Sequence, residues 1–275
     1  MNVSTNIGGL SNRIKSWASV IRMSKKDGKL YGVKWDVQSN YAKFTHILNC
    51  PFNMLFSNNI EVDNLEGANI FNSHCLHIFD DDGLPNKFNN FKSNCSVRFS
   101  KTDKRGRNID YMYNKIPNRV KNDYIKCFKE IKLTDQLANK INSFSERFDE
   151  NTVSVHIRSW NRNGEKSRSK QLFNISKFET EMMKEKYNHK MFFLASDSKE
   201  VINHFTKVSK LKERVIVYPR ETDLNTSRDF PEGIQEDLIE LYLLSKNRTI
   251  IGSHFSTYTE VAWWLSECPE DITVL

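Results

Sequence analysis

The feature that most restricts the fold lies in the second half of the chain. From residue 151 onward, short β-branched or aromatic runs alternate with segments of helical period. Strands are expected at Val153–Ile157, Met191–Ala195, Val215–Tyr218, Thr249–Ile251 and Ile272–Leu275, with helices near Ile175–Tyr187, Lys199–Val208, Ile234–Ser245 and Thr257–Ser266. Such alternation implies a parallel, doubly wound α/β sheet. In the helix near Ile234, the residues Ile234, Leu238, Leu241 and Leu244 fall on one stripe, while Glu236 and Glu240 lie on other faces. That stripe is expected to face a core.

The first half is less regular, with strand candidates around Gly32–Val37 and Cys95–Phe99 and helix candidates around Arg13–Lys25 and Asp123–Phe148. A length of 275 residues suits two modest cores, since domains usually run to about 100–150 residues. The polar stretch Ser145–Thr152 is the best candidate for a hinge, which places domains at 1–149 and 150–275. With 38% hydrophobic and 27% charged residues the chain reads as a soluble globule. No run approaches the about 18 consecutive apolar residues of a membrane span, and the polar start Met1-Asn2-Val3-Ser4 lacks a signal region. A cytoplasmic location is therefore expected.

Two partner classes are disfavoured. The five cysteines (Cys50, Cys75, Cys95, Cys127, Cys268) are scattered, odd in number and never in Cys-x-x-Cys spacing, so neither a disulfide framework nor a zinc site is expected. The net charge of +7 raises the question of a polyanion, yet the basic residues are dispersed and often paired with acids, as in Lys184-Glu185-Lys186. Nucleic-acid binders usually concentrate them. The richest basic cluster, Lys101 to Arg107, reads as a solvated loop, and a sugar nucleotide would satisfy the charge equally well.

In open α/β sheets ligands bind beyond the carboxyl ends of the strands. There this sequence places His156-Ile157-Arg158, then Ser196-Asp197-Ser198, then Arg220, then Gly252-Ser253-His254-Phe255-Ser256-Thr257. The last loop runs into a helix, offering backbone N–H groups, hydroxyls and a helix N-terminus to an anion. Thr257 and Glu260 also have capping-box spacing, so those hydroxyls are alternatively caps. Arg158 could meet a diphosphate with two hydrogen bonds, or form an ordinary surface ion pair. At the N-terminus, Gly8-Gly9-Leu10-Ser11-Asn12-Arg13 opens a helix, and its spacing is neither a dinucleotide fingerprint nor a P-loop.

Taken in order, Gly-Gly-Leu-x-Asn-Arg, a strand ending His-x-Arg, Ala-Ser-Asp, and Leu-Ser followed by Gly-Ser-x-Phe-Ser resemble the fucosyltransferase superfamily. The resemblance covers the start of the chain and essentially all of 153–266. It implies a GT-B architecture, two Rossmann-like domains facing across a cleft, and inverting transfer from GDP-fucose to a glycan hydroxyl without a metal or other cofactor. It implies further that Arg158 binds the donor diphosphate and that His156 and Glu240 contact the guanine and ribose. Asp197 would support that pocket, Ser256 and Thr257 would hold phosphate oxygens, and Asn12 and Arg13 would line the cleft from the opposite side.

The sequence departs from the pattern at Ser159, where many relatives carry a second arginine; Arg162 or Arg220 could compensate. Glu165 occupies the place of an acidic residue in some relatives and is a candidate general base, with Asp237 as the other carboxylate. A transferase using another nucleotide sugar and a catalytically inactive carbohydrate- or nucleotide-binding paralogue are the alternatives. Asp80-Asp81-Asp82, before Gly83-Leu84-Pro85, reads as a surface turn rather than a metal motif. Trp263-Trp264 reads as packing, and Trp160 as the better acceptor platform.

Overall fold

The computed structural model describes residues 1–5, 8–35, 49–71, 76–77, 79, 82, 106–107, 116–160, 173–224 and 229–275. The expected strand at Cys95–Phe99 and the candidates Arg162 and Glu165 lie outside them, as do Cys75, Asp80 and Asp81.

The alternation of the second half becomes a five-stranded, all-parallel sheet. Strands β6 (Val153–Ile157), β7 (Phe192–Ser196), β8 (Val215–Ile216), β9 (Thr249–Gly252) and β10 (Asp271–Val274) lie in the order β10-β9-β6-β7-β8. Numbered from β6, that is the doubly wound order 3-2-1-4-5, whose switch point falls between β6 and β9. Every residue of β6 and β7 is buried, as parallel strands covered on both faces require. Helices α4 (Ile175–Met182), α5 (Lys199–Asn203), α6 (Pro231–Leu244) and α7 (Thr257–Leu265) make the crossovers. The expected β8 shrinks to two residues, and the helix expected to reach Val208 becomes a π turn from His204.

A second parallel sheet forms near the N-terminus. There β1 (Asn2–Ser4) lies between β2 (Tyr31–Val33) and β3 (Asn69–Phe71), with α1 (Leu10–Asp27) crossing from β1 to β2. Gly28 ends α1 at φ 63°, and its N–H bonds to the Ser24 carbonyl, a left-handed cap that glycine adopts freely. Residues Leu76–His77 (β4) and Gly106–Arg107 (β5) pair antiparallel.

The single helix expected over Asp123–Phe148 is in fact two, α2 (Asn118–Lys129) and α3 (Asp135–Ser145). Between them the backbone bonds elsewhere: Ser57 N–H to the Lys132 carbonyl at 2.9 Å, and Thr134 N–H to the Leu55 carbonyl at 3.1 Å. Those partners replace the helical ladder.

One apolar core draws on both halves of the chain, joining Trp17 of α1, Tyr124 and Phe128 of α2, the four stripe residues of α6 and Trp264 of α7. All four stripe residues are fully buried. Trp263 and Trp264 are buried too, as expected; adjacent positions point about 100° apart on a helix, so α7 must be covered on two sides. Trp264 stacks on Phe128 at 5.9 Å and tilts against Tyr124 at 5.2 Å, while Trp263 Nε1 donates to the Pro269 carbonyl.

Asp82 is not on a surface turn. It is 2% exposed and takes both ends of the Arg22 guanidinium, at 2.7 and 2.8 Å. Arg22 lies buried over the rings of Phe79 and Tyr124, each at 5.0 Å, where an unpaired guanidinium would be costly. Burial alone would raise the Asp82 carboxyl; hydrogen bonds from Arg22 and the Phe79 N–H outweigh it and hold the group below its ordinary range. Among the described residues no helix is long and apolar enough to cross a membrane.

Candidate functional site

The switch point between β6 and β9 is stitched by one hydroxyl. His156 pairs with Gly252 in the β6–β9 register, so the residues just beyond meet. Ser253 Oγ accepts the Arg158 N–H at 2.7 Å and donates to the His156 carbonyl at 3.4 Å. Ser253 therefore holds the two strand ends together. Arg158 itself extends to Asp197 beyond β7, Nη1 to Oδ2 at 2.8 Å, and the other Asp197 oxygen accepts the Ser159 N–H at 2.7 Å. The guanidinium also lies 5.1 Å from the Trp160 ring centre.

Two bulky residues in this rim adopt left-handed backbone, Trp160 at φ 57° and Phe255 at φ 56°. Side chains of that size rarely do so, and such strain concentrates at functional sites. They follow β6 and β9, the strands that flank the switch point. Trp160, expected as an open platform for an acceptor, is 6% exposed.

Helix α7 organises the rest. Ser256 is its N-cap residue, makes no side-chain capping bond, and is 5% exposed; Thr257, at the first helical position, is partly exposed. The capping box expected from Thr257 and Glu260 does not form: Ser256 is the N-cap, which puts Thr257 inside the helix, and the Glu260 side chain pairs with Lys15. Thr259 Oγ1 instead meets His156 Nδ1 at 2.8 Å, and Tyr258 lies against the same imidazole at 4.8 Å. Burial, helped by the Arg158 charge and opposed by Asp197, pulls His156 down to about 3. At neutral pH it is an uncharged hydrogen-bonding group.

Glycine at 252 has a steric reason unrelated to ligand approach. A Cβ there would fall 3.0 Å from Thr259 Cβ and closer still to the rest of that side chain. Gly252→Ala is expected to displace Thr259 from His156 and destabilise the fold by about 1–3 kcal/mol, the usual range for overpacking. Thermal unfolding checks it; an unchanged midpoint would mean the helix start is loose.

A second polar cluster sits at the first turns of α6. Arg220, whose side chain is 8% exposed, touches Glu236 at 3.4 Å, Asp237 at 2.8 Å and Glu240 at 2.6 Å. Burial, with Asp237 and Glu236 adding to it, raises Glu240 to about 8 even though Arg220 opposes the change. Arg220 is thereby committed to carboxylates, and as placed it does not supply the second arginine missing at Ser159. Tyr258 joins the clusters, its hydroxyl donating to the Asp237 carbonyl at 2.5 Å.

Of the expected site residues, the structure thus brings together Arg158, Asp197 and His156, and links them through Tyr258 to the group that holds Glu240. Asn12 and Arg13 lie on the first turn of α1. The Asn12 side-chain oxygen is buried and lacks a hydrogen-bond partner among the described residues. Arg13 is 2% exposed, bonded to the Gly8 carbonyl at 2.9 Å and placed 4.9 Å from the Trp35 ring centre. Thr259 and Tyr258 carry roles that no motif singled out, and Ser253, part of the Gly-Ser-x-Phe-Ser motif, acts through its bonds to the end of β6. Among the described residues no three His, Cys, Asp or Glu side chains gather as a metal-holding group. The described cysteines are Cys50, Cys127 and Cys268. All three are buried, and burial pushes the Cys50 and Cys127 thiols up to about 12.

No protein-family model matches the chain, and no curated protein matches it in sequence. Solved structures do. The α1,6-fucosyltransferase NodZ from Bradyrhizobium, co-crystallised with GDP, gives a TM-score of 0.52 at 17% identity, over 94% of this chain and 90% of its own. The same enzyme soaked with GDP-fucose gives 0.51 at 16% identity, over 96% and 92%. POFUT1 in complex with GDP-fucose gives 0.52 at 10% identity, over 100% and 97%. At these identities the likeness establishes the fold, which this chain shares with fucosyltransferases.

Proposed function

We propose that this chain is a GT-B glycosyltransferase that moves fucose from GDP-fucose to a glycan hydroxyl, with inversion and without a metal. Residues 150–275 would bind the donor and 1–149 would face the acceptor. The observation that carries the reading is the meeting of Arg158 with Asp197 and with Ser253, in the loop that leads into α7, at the switch point of a doubly wound sheet. Support comes also from a fold shared with enzymes whose structures hold GDP or GDP-fucose.

The chemistry asks little covalent work of the protein. An acceptor oxygen attacks the anomeric carbon while the bond from that carbon to the diphosphate oxygen breaks, and GDP departs with added negative charge. Arg158 and the N-terminal end of α7 would meet that charge, an electrostatic stabilisation that is often the largest single contribution to catalysis. Asp197 keeps the guanidinium aimed until the diphosphate arrives. The acceptor proton needs a base. Because Asp237 already pairs with Arg220, we assign that role to Glu165. At the other end of the donor, neutral His156 and Glu240 would hydrogen-bond the nucleoside.

GDP release from GDP-fucose, followed in EDTA with and without a pool of oligosaccharides, tests the reading. EDTA-resistant, acceptor-stimulated release is expected. Release from a different nucleotide sugar alone would discard fucose. Thermal stabilisation by GDP with no turnover would favour the inactive paralogue, the reading that Ser159 suggests, and stabilisation by polynucleotide alone would overturn the assignment.

A further inference from the structure

Two buried charges stand outside every role assigned above. Lys15 Nζ on α1 and Glu260 Oε2 on α7 lie 2.5 Å apart, and both side chains are 0% exposed. Trp264 Nε1 donates to the other Glu260 oxygen at 3.3 Å. Removing two charges from water is costly, and an apolar pair of similar volume is commonly as stable or more so. Stability is thus a poor account of this pair. Geometry is a better one, because a buried ion pair permits one register between two helices where apolar side chains would let them slide.

The register concerned is that of the candidate site. Lys15 lies within two turns of Gly9, Asn12 and Arg13, the opening of α1. Glu260 directly follows Thr259, which holds His156, and stands in the same first turn of α7 as Ser256 and Thr257. The ion pair therefore ties the helix that seats His156, and whose start faces the donor rim, to the start of α1 at the other end of the chain.

We propose that Lys15 and Glu260 are a pair of positioning residues that fix the opening of α1 against the start of α7, and so hold the two sides of the donor site in register. The kinetic consequence rests on the function proposed above; the structural consequence does not. Neither residue touches the reacting atoms. Their loss acts through the placement of Asn12, Arg13, Ser256 and Thr257.

The test uses the double variant Lys15→Met/Glu260→Met, which keeps volume and leaves no lone buried charge. Either single substitution strands one charge in the core and reports mainly on folding. Expected in the double variant are an unchanged melting temperature, faster amide hydrogen exchange confined to residues 9–13 and 254–260, and a fall in kcat of about 10- to 100-fold with little change in KM for GDP-fucose. A displacement of about 1 Å at a positioned group has consequences of that size. The exchanged pair Lys15→Glu/Glu260→Lys restores an attraction in the same space and is expected to recover part of both losses. Wild-type exchange at both segments, or a global fall in stability with uniformly faster exchange, would overturn the proposal in favour of a purely structural pair. Should the wild-type chain release GDP from no nucleotide sugar, the functional reading fails while the exchange comparison still decides the positioning role.

Discussion

Replacing Arg158 with alanine is expected to lower GDP release from GDP-fucose by about 10²–10³-fold in kcat, the scale on which single oxyanion-type donors act. The Arg158 N–H is pinned by Ser253 and its guanidinium by Asp197, so the side chain is aimed before any ligand arrives. A preorganised charge stabilises what develops in the transition state without reorganising at the moment of reaction, and its loss falls on kcat more than on KM. Arg158→Lys is expected to recover little, because an ammonium cannot make the paired bonds of a planar fork. Asp197→Asn separates aim from charge: it leaves the guanidinium in place, weakens its hold and should cost less than the alanine change. Steady-state kinetics on the three variants decide the matter. Equal activity of Arg158→Ala and wild type would remove Arg158 from the donor site and leave the rim without its principal cation.

How far the sequence carried this picture depends on the range of the interaction concerned. The doubly wound sheet was legible because each strand of the second half is a short apolar run and each helix has its own period, all local signals. The rim followed from it, since Arg158, Asp197 and the 252–257 loop each sit directly after a strand. What pattern could not supply was pairing between distant charges. Glu260 has the spacing of a capping residue, yet its partner is Lys15, 245 positions away. Asp82 has the setting of a surface turn, yet Arg22 draws it into the core. The long helix expected over Asp123–Phe148 breaks because Leu55 and Ser57 offer its middle other hydrogen bonds. Thr259 escaped notice for a similar reason, since its value lies in contacts with β6 and β9 rather than in its own helix.

The second large effect concerns pH, and it follows from two buried groups whose protonation shifts in opposite senses. His156, at about 3, is held neutral when folded while the unfolded chain takes up its proton near 6.5. The unfolded state then binds more protons, so the contribution of His156 is intact above pH 6.5 and is lost as pH falls toward 3. At about 1.36 kcal/mol per unit, that is about 2 kcal/mol by pH 5. Glu240, at about 8, keeps its proton when folded while the unfolded chain gives it up near 4.5. Here the folded state binds more protons, so the contribution is intact below pH 4.5 and is lost as pH rises through 8. Burial drives this shift, and the single Arg220 charge cannot offset it because Glu236 and Asp237 share that cation. Denaturant unfolding between pH 5 and 8 should therefore show Glu240→Gln gaining on wild type by about 3 kcal/mol as pH rises from 5 to 7.5. His156→Asn should gain on wild type in the other direction, as pH falls below 6.5. Parallel stability curves for wild type and Glu240→Gln would mean that Glu240 is ionised at neutral pH and fully balanced by Arg220, and a carboxylate in that state would meet a nucleoside as an acceptor only.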